Sequence, residues 1–179
     1  MHKIVITGGP CVGKSTTINL LEKMGHRVIP ETSKPIIDKY RLENNNKIPW
    51  ETKDCTWFQN EVFREQLKIE TSLVGDGVCF LESALPDRVA ICKHEGTSVP
   101  KQIMTKLQKT TYEKIFFLDP LPEDLYEKES HRPTGYAHSK QIQNAVKKCY
   151  LESGFQIIRV PFDTPKKRVN FILQEVNIK

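Results

Sequence analysis

Residues 8–16 read Gly-Gly-Pro-Cys-Val-Gly-Lys-Ser-Thr, which contains the pattern Gly-x-x-x-x-Gly-Lys-Ser. Glycines let a main chain curl until successive N–H groups point at one anion, and a helix opening at that point adds partial positive charge. A lysine at the place of Lys14 reaches the β- and γ-phosphates of a triphosphate, and a hydroxyl at the place of Ser15 ligates Mg2+. The spacing therefore predicts a loop of Gly8, Gly9, Pro10, Cys11, Val12, Gly13, Lys14, Ser15 and Thr16 that binds ATP or GTP with Mg2+. The competing reading is a chance glycine turn with a surface lysine, and it weakens once a strand must precede the loop and a helix follow it. Cys11 stands where a helix N-terminus lowers thiol pKa values, so it reads either as a redox-sensitive thiol or as a small filler.

The hydrophobic pattern supplies both flanks. Lys3–Thr7 is short, β-branched and bounded by glycine, as in a buried strand, and 15–24 has helical spacing closed by Gly25. Further strands are expected at 27–30, 78–82, 114–118 and 156–160. Helices are expected at 32–42, 54–74, from about Asp87, and at 100–109, 139–152 and 166–176. Strands thus alternate with helices, and each strand is nearly continuously apolar, the mark of a parallel sheet covered on both faces. The expected fold is a single three-layer α/β domain over 1–179 with about five parallel strands.

A carboxylate in the right place narrows the chemistry. The third strand ends in Glu82 after three apolar residues, and strand C-termini border the ligand crevice in such folds. Glu82 is therefore read as the acidic partner of Ser15 at the cation, against a surface Glu that merely ends a strand. A Ras-like GTPase is disfavoured: Asn46-Lys47 continues as Ile48-Pro49, and no Asp has Gly three residues on. An AAA+ or helicase motor needs a longer chain and further arginine-bearing motifs, so 179 residues argue against it.

The run 4–10, then Pro30-Glu31, the segment from Phe58-Gln59 to Glu70, Phe80-Leu81-Glu82 with Leu85-Pro86-Asp87, Phe116–Pro122, Arg132, Tyr150, Gly154 and Val160-Pro161 together resemble the NadR-type P-loop family. This group is related to nicotinamide-riboside kinase, thymidylate kinase and the deoxynucleoside kinases. The resemblance implies a kinase-like strand order of 2-3-1-4-5 and a lid over about 123–138. It implies that Glu31 faces the acceptor, taking a proton from its hydroxyl or holding the metal; otherwise Glu31 is a helix N-terminal acid favoured by the dipole. Asp87 falls at the acidic position after the third strand. The arginine expected after Glu82 is Ser83 here, with Arg88 or Lys34 as replacements, although Lys34 lacks the bidentate grip of arginine. Arg132, within Lys128–Gly135, is the implied lid cation, and His131 its solvated neighbour. Arg159, before Val160-Pro161, either stacks on the nucleobase or faces solvent. Phe58, Gln59 and Gln66 are acceptor-side candidates: the two amides, seven residues apart, share a helix face, while Phe58 also fits the core stripe.

Composition sets the outer bounds. With 27 Lys+Arg against 22 Asp+Glu and 38% hydrophobic residues, the chain reads as an ordinary globular protein. Twenty lysines are dispersed, and the densest basic run, Lys166-Lys167-Arg168, reads as a solvated helix face, so no DNA or RNA partner is expected. No apolar run approaches the ~20 residues of a membrane span. The N-terminus lacks signal-peptide features, and the five scattered cysteines suggest reduced thiols without a disulfide framework or zinc site. The expectation is a cytoplasmic Mg2+-dependent protein that transfers the γ-phosphoryl of ATP or GTP to a small nucleoside- or nucleotide-like acceptor. The alternatives are a nucleotide-dependent regulatory module and a simple NTP hydrolase.

Overall fold

A computed structural model describes residues 1–49, 55–129 and 135–177. The elements run β1 (His2–Thr7), α1 (Lys14–Lys23), β2 (Arg27–Ile29), α2 (Ser33–Glu43), α3 (Cys55–Ser72), β3 (Val78–Glu82) and α4 (Leu85–His94). They continue as α5 (Lys101–Lys109), β4 (Lys114–Leu118), α6 (Glu123–Glu129), α7 (Tyr136–Glu152), β5 (Ile158–Val160) and α8 (Pro165–Val176). The five strands form one parallel sheet in the order β2-β3-β1-β4-β5.

Alternation across the pleat explains why both faces are apolar. Ile4 and Ile6 of β1, Phe80 of β3 and Phe116 and Leu118 of β4 join Ile18, Leu21, Val169 and Ile172 in the layer under α1 and α8. Val5 of β1 and Ile115 and Phe117 of β4 face the opposite layer, where they meet Phe63, Val89, Ile103, Val146 and Tyr150. The three central strands β1, β3 and β4 are buried on both sides, so their sequences hold continuous apolar runs rather than alternating ones, while the edge strands β2 and β5 each expose an arginine. β5 is shorter than the pattern suggested: pairing begins at Ile158, while Ile157 packs against the core.

The long helix α3 departs from a purely apolar stripe. Phe58, Val62 and Phe63 are buried, but so are Gln59, Gln66 and Glu70 on the same face. Gln66 Nε2 donates to Glu70 Oε1 (2.9 Å), the Thr32 hydroxyl donates to Gln66 Oε1 (2.9 Å), and the Tyr112 hydroxyl donates to Glu70. The Leu85 N–H donates in turn to Tyr112 Oη (3.3 Å), and Lys3 Nζ lies 3.6 Å from Glu70 Oε2. This network ties β1, the N-terminus of α2, α3 and the start of α4 together through one buried carboxyl group. Burial pushes the Glu70 carboxyl above its ordinary range, against the opposing pull of Gln66, Lys3 and Tyr112. None of the five cysteines is in a disulfide; Cys79, Cys92 and Cys149 are buried, and desolvation raises all three thiols.

Because the folded Glu70 carboxyl has a raised pKa, the folded chain binds more protons than the unfolded one between the two values. Stability from this site therefore falls as pH rises through that window. In urea denaturation from about pH 4 to about pH 8, the stability of wild type relative to Glu70→Gln should decline with rising pH. A difference that stays constant or grows would show that Glu70 is already ionised in the acidic folded state.

Candidate functional site

Between β1 and α1 the chain turns at the carboxyl edge of the sheet through residues 8–13, with positive φ at Gly8 (143°), Cys11 (57°) and Gly13 (90°). Gly13 is the N-cap of α1, and its left-handed conformation is one that a side chain resists. The first helical hydrogen bond runs from the Thr17 N–H to Gly13 O (3.0 Å). The N–H groups of Lys14, Ser15 and Thr16 precede it and have no acceptor within the helix, so they open onto the mouth of the loop. Lys14 Nζ donates to Gly8 O (3.1 Å) and Gly9 O (2.7 Å), placing the ammonium across the loop. The result is a concentrated set of donors and positive charge, suited to a polyphosphate.

The loop is braced from two helices. The Gly9 N–H donates to Gln143 Oε1, while Gln143 Nε2 donates to Leu118 O (2.9 Å), joining loop, α7 and the end of β4. The Ser139 hydroxyl donates to Pro10 O (2.9 Å). A Cβ at Gly9 would stand 2.8 Å from Gln143 Oε1 and 3.1 Å from Ser139 O, so a side chain there would have to push Gln143 and the α7 backbone away from the loop. From α8, Arg168 donates through Nη1 to Val12 O (2.6 Å), through Nη2 to Asp119 O (2.9 Å) and through Nε to Pro161 O (3.1 Å). Arg168 is buried, unlike the exposed Lys166 and Lys167 beside it; reading the run as a solvated face is corrected at this residue. Ser139, Gln143 and Arg168 were not among the expected site residues. Their signal was positional: Ser139 and Gln143 share the face of Val146 and Tyr150, and Arg168 lies one turn before Ile172.

Acidic groups converge on the other side of the loop. Ser15 Oγ donates to Glu82 Oε1 at 2.5 Å, an all-oxygen pair of the kind that hard cations such as Mg2+ prefer. Burial raises the Glu82 carboxyl, the Ser15 hydrogen bond and Lys14 oppose that rise, and the Glu31 charge adds to it. Glu31, just beyond β2, is partly exposed and lies 3.6 Å from Arg88 Nη2. Arg88 is buried on α4, and its Nε and Nη2 have no hydrogen-bond partner. Ser83, standing where an arginine was expected, is buried in the left-handed region at φ 67°, with its N–H donating to Ile6 O (3.0 Å).

Other expected residues have different surroundings. Asp87 accepts from the Thr7 hydroxyl, the Ala84 N–H (2.8 Å) and the Tyr150 hydroxyl, so it caps α4 and joins it to β1 and α7 rather than facing an acceptor. Both amide atoms of Gln66 are taken up by Thr32 and Glu70, which corrects its reading as a group that contacts a base. Phe58 and Gln59 are buried on α3, and Lys34 is exposed on the first turn of α2. Arg159 faces solvent, bidentate on Asp119 at 2.7–3.0 Å. The expected lid starts as helix α6 and ends in the first turn of α7, while Arg132 and His131 lie outside the described residues. No helix among the described residues is long and apolar enough to cross a membrane.

A family model described as an AAA domain matches residues 3–168. That name is shared with the AAA+ motors set aside on length and arginine motifs, but the solved structures similar to this chain include kinases. Deoxyadenosine kinase from M. mycoides with bound dATP superposes with a TM-score of 0.65 at 14% identity, covering 99% of this chain and 100% of that one. Thymidylate kinase from Candida albicans gives 0.63 at 15% identity, covering 98% and 91%. A NadR protein in complex with NR gives 0.67 at 11% identity, covering 99% of this chain but 52% of that one. No protein of curated function matches. The sheet order and these superpositions establish a kinase-like P-loop fold.

The brace is open to direct measurement. Arg168→Met leaves the Val12 carbonyl, in a buried contact, and the Asp119 and Pro161 carbonyls, in part-buried ones, without their donors, at about 1–3 kcal/mol for the buried group and less for the two that water can reach. A stability loss of about 2–4 kcal/mol is expected by urea denaturation. Gly9→Ala should destabilise through its clash with Gln143 and Ser139. Wild-type stability in both variants would show that the loop holds its shape without these contacts.

Proposed function

The chain belongs to the AAA domain family of P-loop proteins, and from that premise we propose that it is a phosphotransferase. It binds ATP or GTP at residues 8–16 and transfers the γ-phosphoryl group to a hydroxyl of a small, nucleoside-like acceptor beside Glu31. The observation that carries this reading is the pairing of Glu31 with Arg88. A simple hydrolase has no use for a second, separate set of polar groups, whereas here a partly exposed carboxylate is ion-paired at 3.6 Å with a buried guanidinium whose Nε and Nη2 make no hydrogen bond. Leaving a buried donor unpaired costs about 1–3 kcal/mol, and an acceptor oxygen that receives from Arg88 while its hydroxyl donates to Glu31 would recover that cost. A groove of about 470 Å³ between α2 and α3 reaches Glu31 and Thr32 and is lined by Tyr40 and Trp57, whose rings lie 5.3 Å apart. It offers space and an aromatic surface for a heterocycle.

In the proposed reaction the acceptor oxygen attacks the γ-phosphorus as its proton passes to Glu31. The bond from the γ-phosphorus to the β,γ-bridging oxygen breaks, and the nucleoside diphosphate leaves. Lys14 and the N–H groups of Lys14, Ser15 and Thr16 stabilise charge on the transferring phosphate and the leaving group. Ser15 and Glu82 would hold Mg2+, which when bound supplies charge neutralisation at the phosphates. Arg132 is the proposed lid cation, closing over the phosphates and excluding water. Glu31 comes from the segment after β2 and Arg88 from α4, so the acceptor is oriented by two walls of the crevice.

Labelled ATP or GTP with Mg2+, in the presence and absence of nucleosides and nucleoside monophosphates, tests the reading. Acceptor-dependent transfer is expected. Phosphate release without an acceptor identifies a hydrolase, and tight binding without turnover identifies the regulatory module that Ser83, in place of an arginine, leaves as the second reading. Lys14→Ala should abolish nucleotide affinity, Glu31→Gln should lower kcat by about 10²–10⁴, and Arg88→Met should raise KM for the acceptor. Full transfer by Glu31→Gln would remove that residue from the proton step.

A further inference from the structure

The packed pair α4 and α7 carries a second group of ligands apart from the phosphate loop and the acceptor crevice. α4 ends at His94, Glu95 is its C-cap with its N–H on Ile91 O (2.9 Å), and His138 lies in the first turn of α7. The imidazole rings of His94 and His138 are 5.3 Å apart between centroids and inclined at 56°. One ligand atom from each of His94, Glu95 and His138 lies within 4.8 Å of the others. The two histidines are half-buried and Glu95 is exposed, so the group opens to solvent on one side.

We propose that His94, Glu95 and His138 form a binding site for a borderline divalent transition ion, with Zn2+ the best match. Two imidazoles and one carboxylate supply three donors of the type such ions take, leaving one position for water. Hard cations discriminate against this set: Mg2+ and Ca2+ take oxygen ligands, so the site is chemically distinct from Ser15 and Glu82. Tetrahedral coordination at metal–ligand distances of about 2.0–2.2 Å puts the donor atoms about 3.3 Å apart. Reaching it from donor separations of at most 4.8 Å takes closures of up to about 1.5 Å, within the range of side-chain rotation. The backbones are already held in register, since Asp87 at the start of α4 accepts a hydrogen bond from Tyr150 near the end of α7. None of the five cysteines is involved.

The site has a mechanical consequence. His138 immediately precedes Ser139, which holds Pro10 O, and the same helix carries Gln143 on Gly9. An ion joining His138 to the end of α4 would therefore fix the turn of α7 on which the phosphate loop rests. The inference does not depend on kinase activity, because its readout is metal binding by the intact chain.

The chain, stripped with a chelator and dialysed, is titrated with Zn2+ alone by calorimetry and in thermal unfolding, with Mg2+ as the control. One equivalent should bind with Kd on the order of 1 µM or tighter and raise Tm by about 5 °C, while Mg2+ at the same concentration does neither. His94→Gln with His138→Gln should weaken Zn2+ binding by about 100-fold while leaving the metal-free Tm unchanged. Co2+ substituted at one equivalent should show tetrahedral d–d bands without a thiolate charge-transfer band. Equal affinity in wild type and double variant, a thiolate band, or no binding tighter than millimolar would each overturn the assignment.

Discussion

A loop that turns a strand into a helix around an anion cannot use its own main chain to hold its shape, because those N–H groups must stay aimed at the ligand. Its remaining polar groups need partners from elsewhere, since buried backbone donors and acceptors are not left unmatched. Here side chains supply them: Arg168 on the Val12 carbonyl, Gln143 on the Gly9 amide and Ser139 on the Pro10 carbonyl. Arg168 and Gln143 also reach past the loop to the carbonyls of Asp119 and Leu118 at the end of β4. The loop is thereby fastened to the neighbouring strand as well as to its own. Its curvature is a property of helices α7 and α8 as much as of its glycines.

The electrostatics of the site follow from where the parallel strands stop. β2 and β3 end side by side, which sets Glu31 and Glu82 at the same edge, close enough for one charge to raise the other's pKa. Lys14 and Ser15 act against that rise from the loop, and Arg88 faces Glu31 from α4. Two acids with different partners can take different tasks, one at a cation and one at an acceptor hydroxyl. Behind them, the Asp87 and Glu70 networks connect the starts of α2 and α4 to β1 and to Tyr112 and Tyr150. Polar groups satisfied in this way inside a core favour one arrangement of the helices, because any other leaves a carboxyl group unpaired.

Much of this organisation was legible in advance. The strands at 78–82 and 114–118 match the apolar runs to the residue, and parallel pairing followed from their lack of alternation. The sheet order agrees with that of the kinase resemblance. Reading was weaker wherever a polar residue turned out to be buried. Gln59, Gln66, Glu70, Asp87 and Arg168 all lie at helical spacing with apolar neighbours, but a single chain does not reveal which polar side chains have partners waiting inside. Gln66 stood as an acceptor-side candidate and its amide is bound within a core network; Arg168 was read as part of a solvated face and holds the loop.

Short-range chemistry was therefore contained in the order of the residues. Glycine spacing, the lysine and hydroxyl that follow it, and strand-then-helix periodicity are local, and local geometry is enough to shape an anion-binding turn. Partnership across the molecule was not contained there. Glu82 meets Ser15 across 67 positions, Gln143 meets Gly9 across 134, and Arg168 meets Val12 across 156. Those distances close only when the sheet assembles and the helices pack against it. Hydrogen bonds select partners by angle and separation in space, for which separation along the chain is no guide.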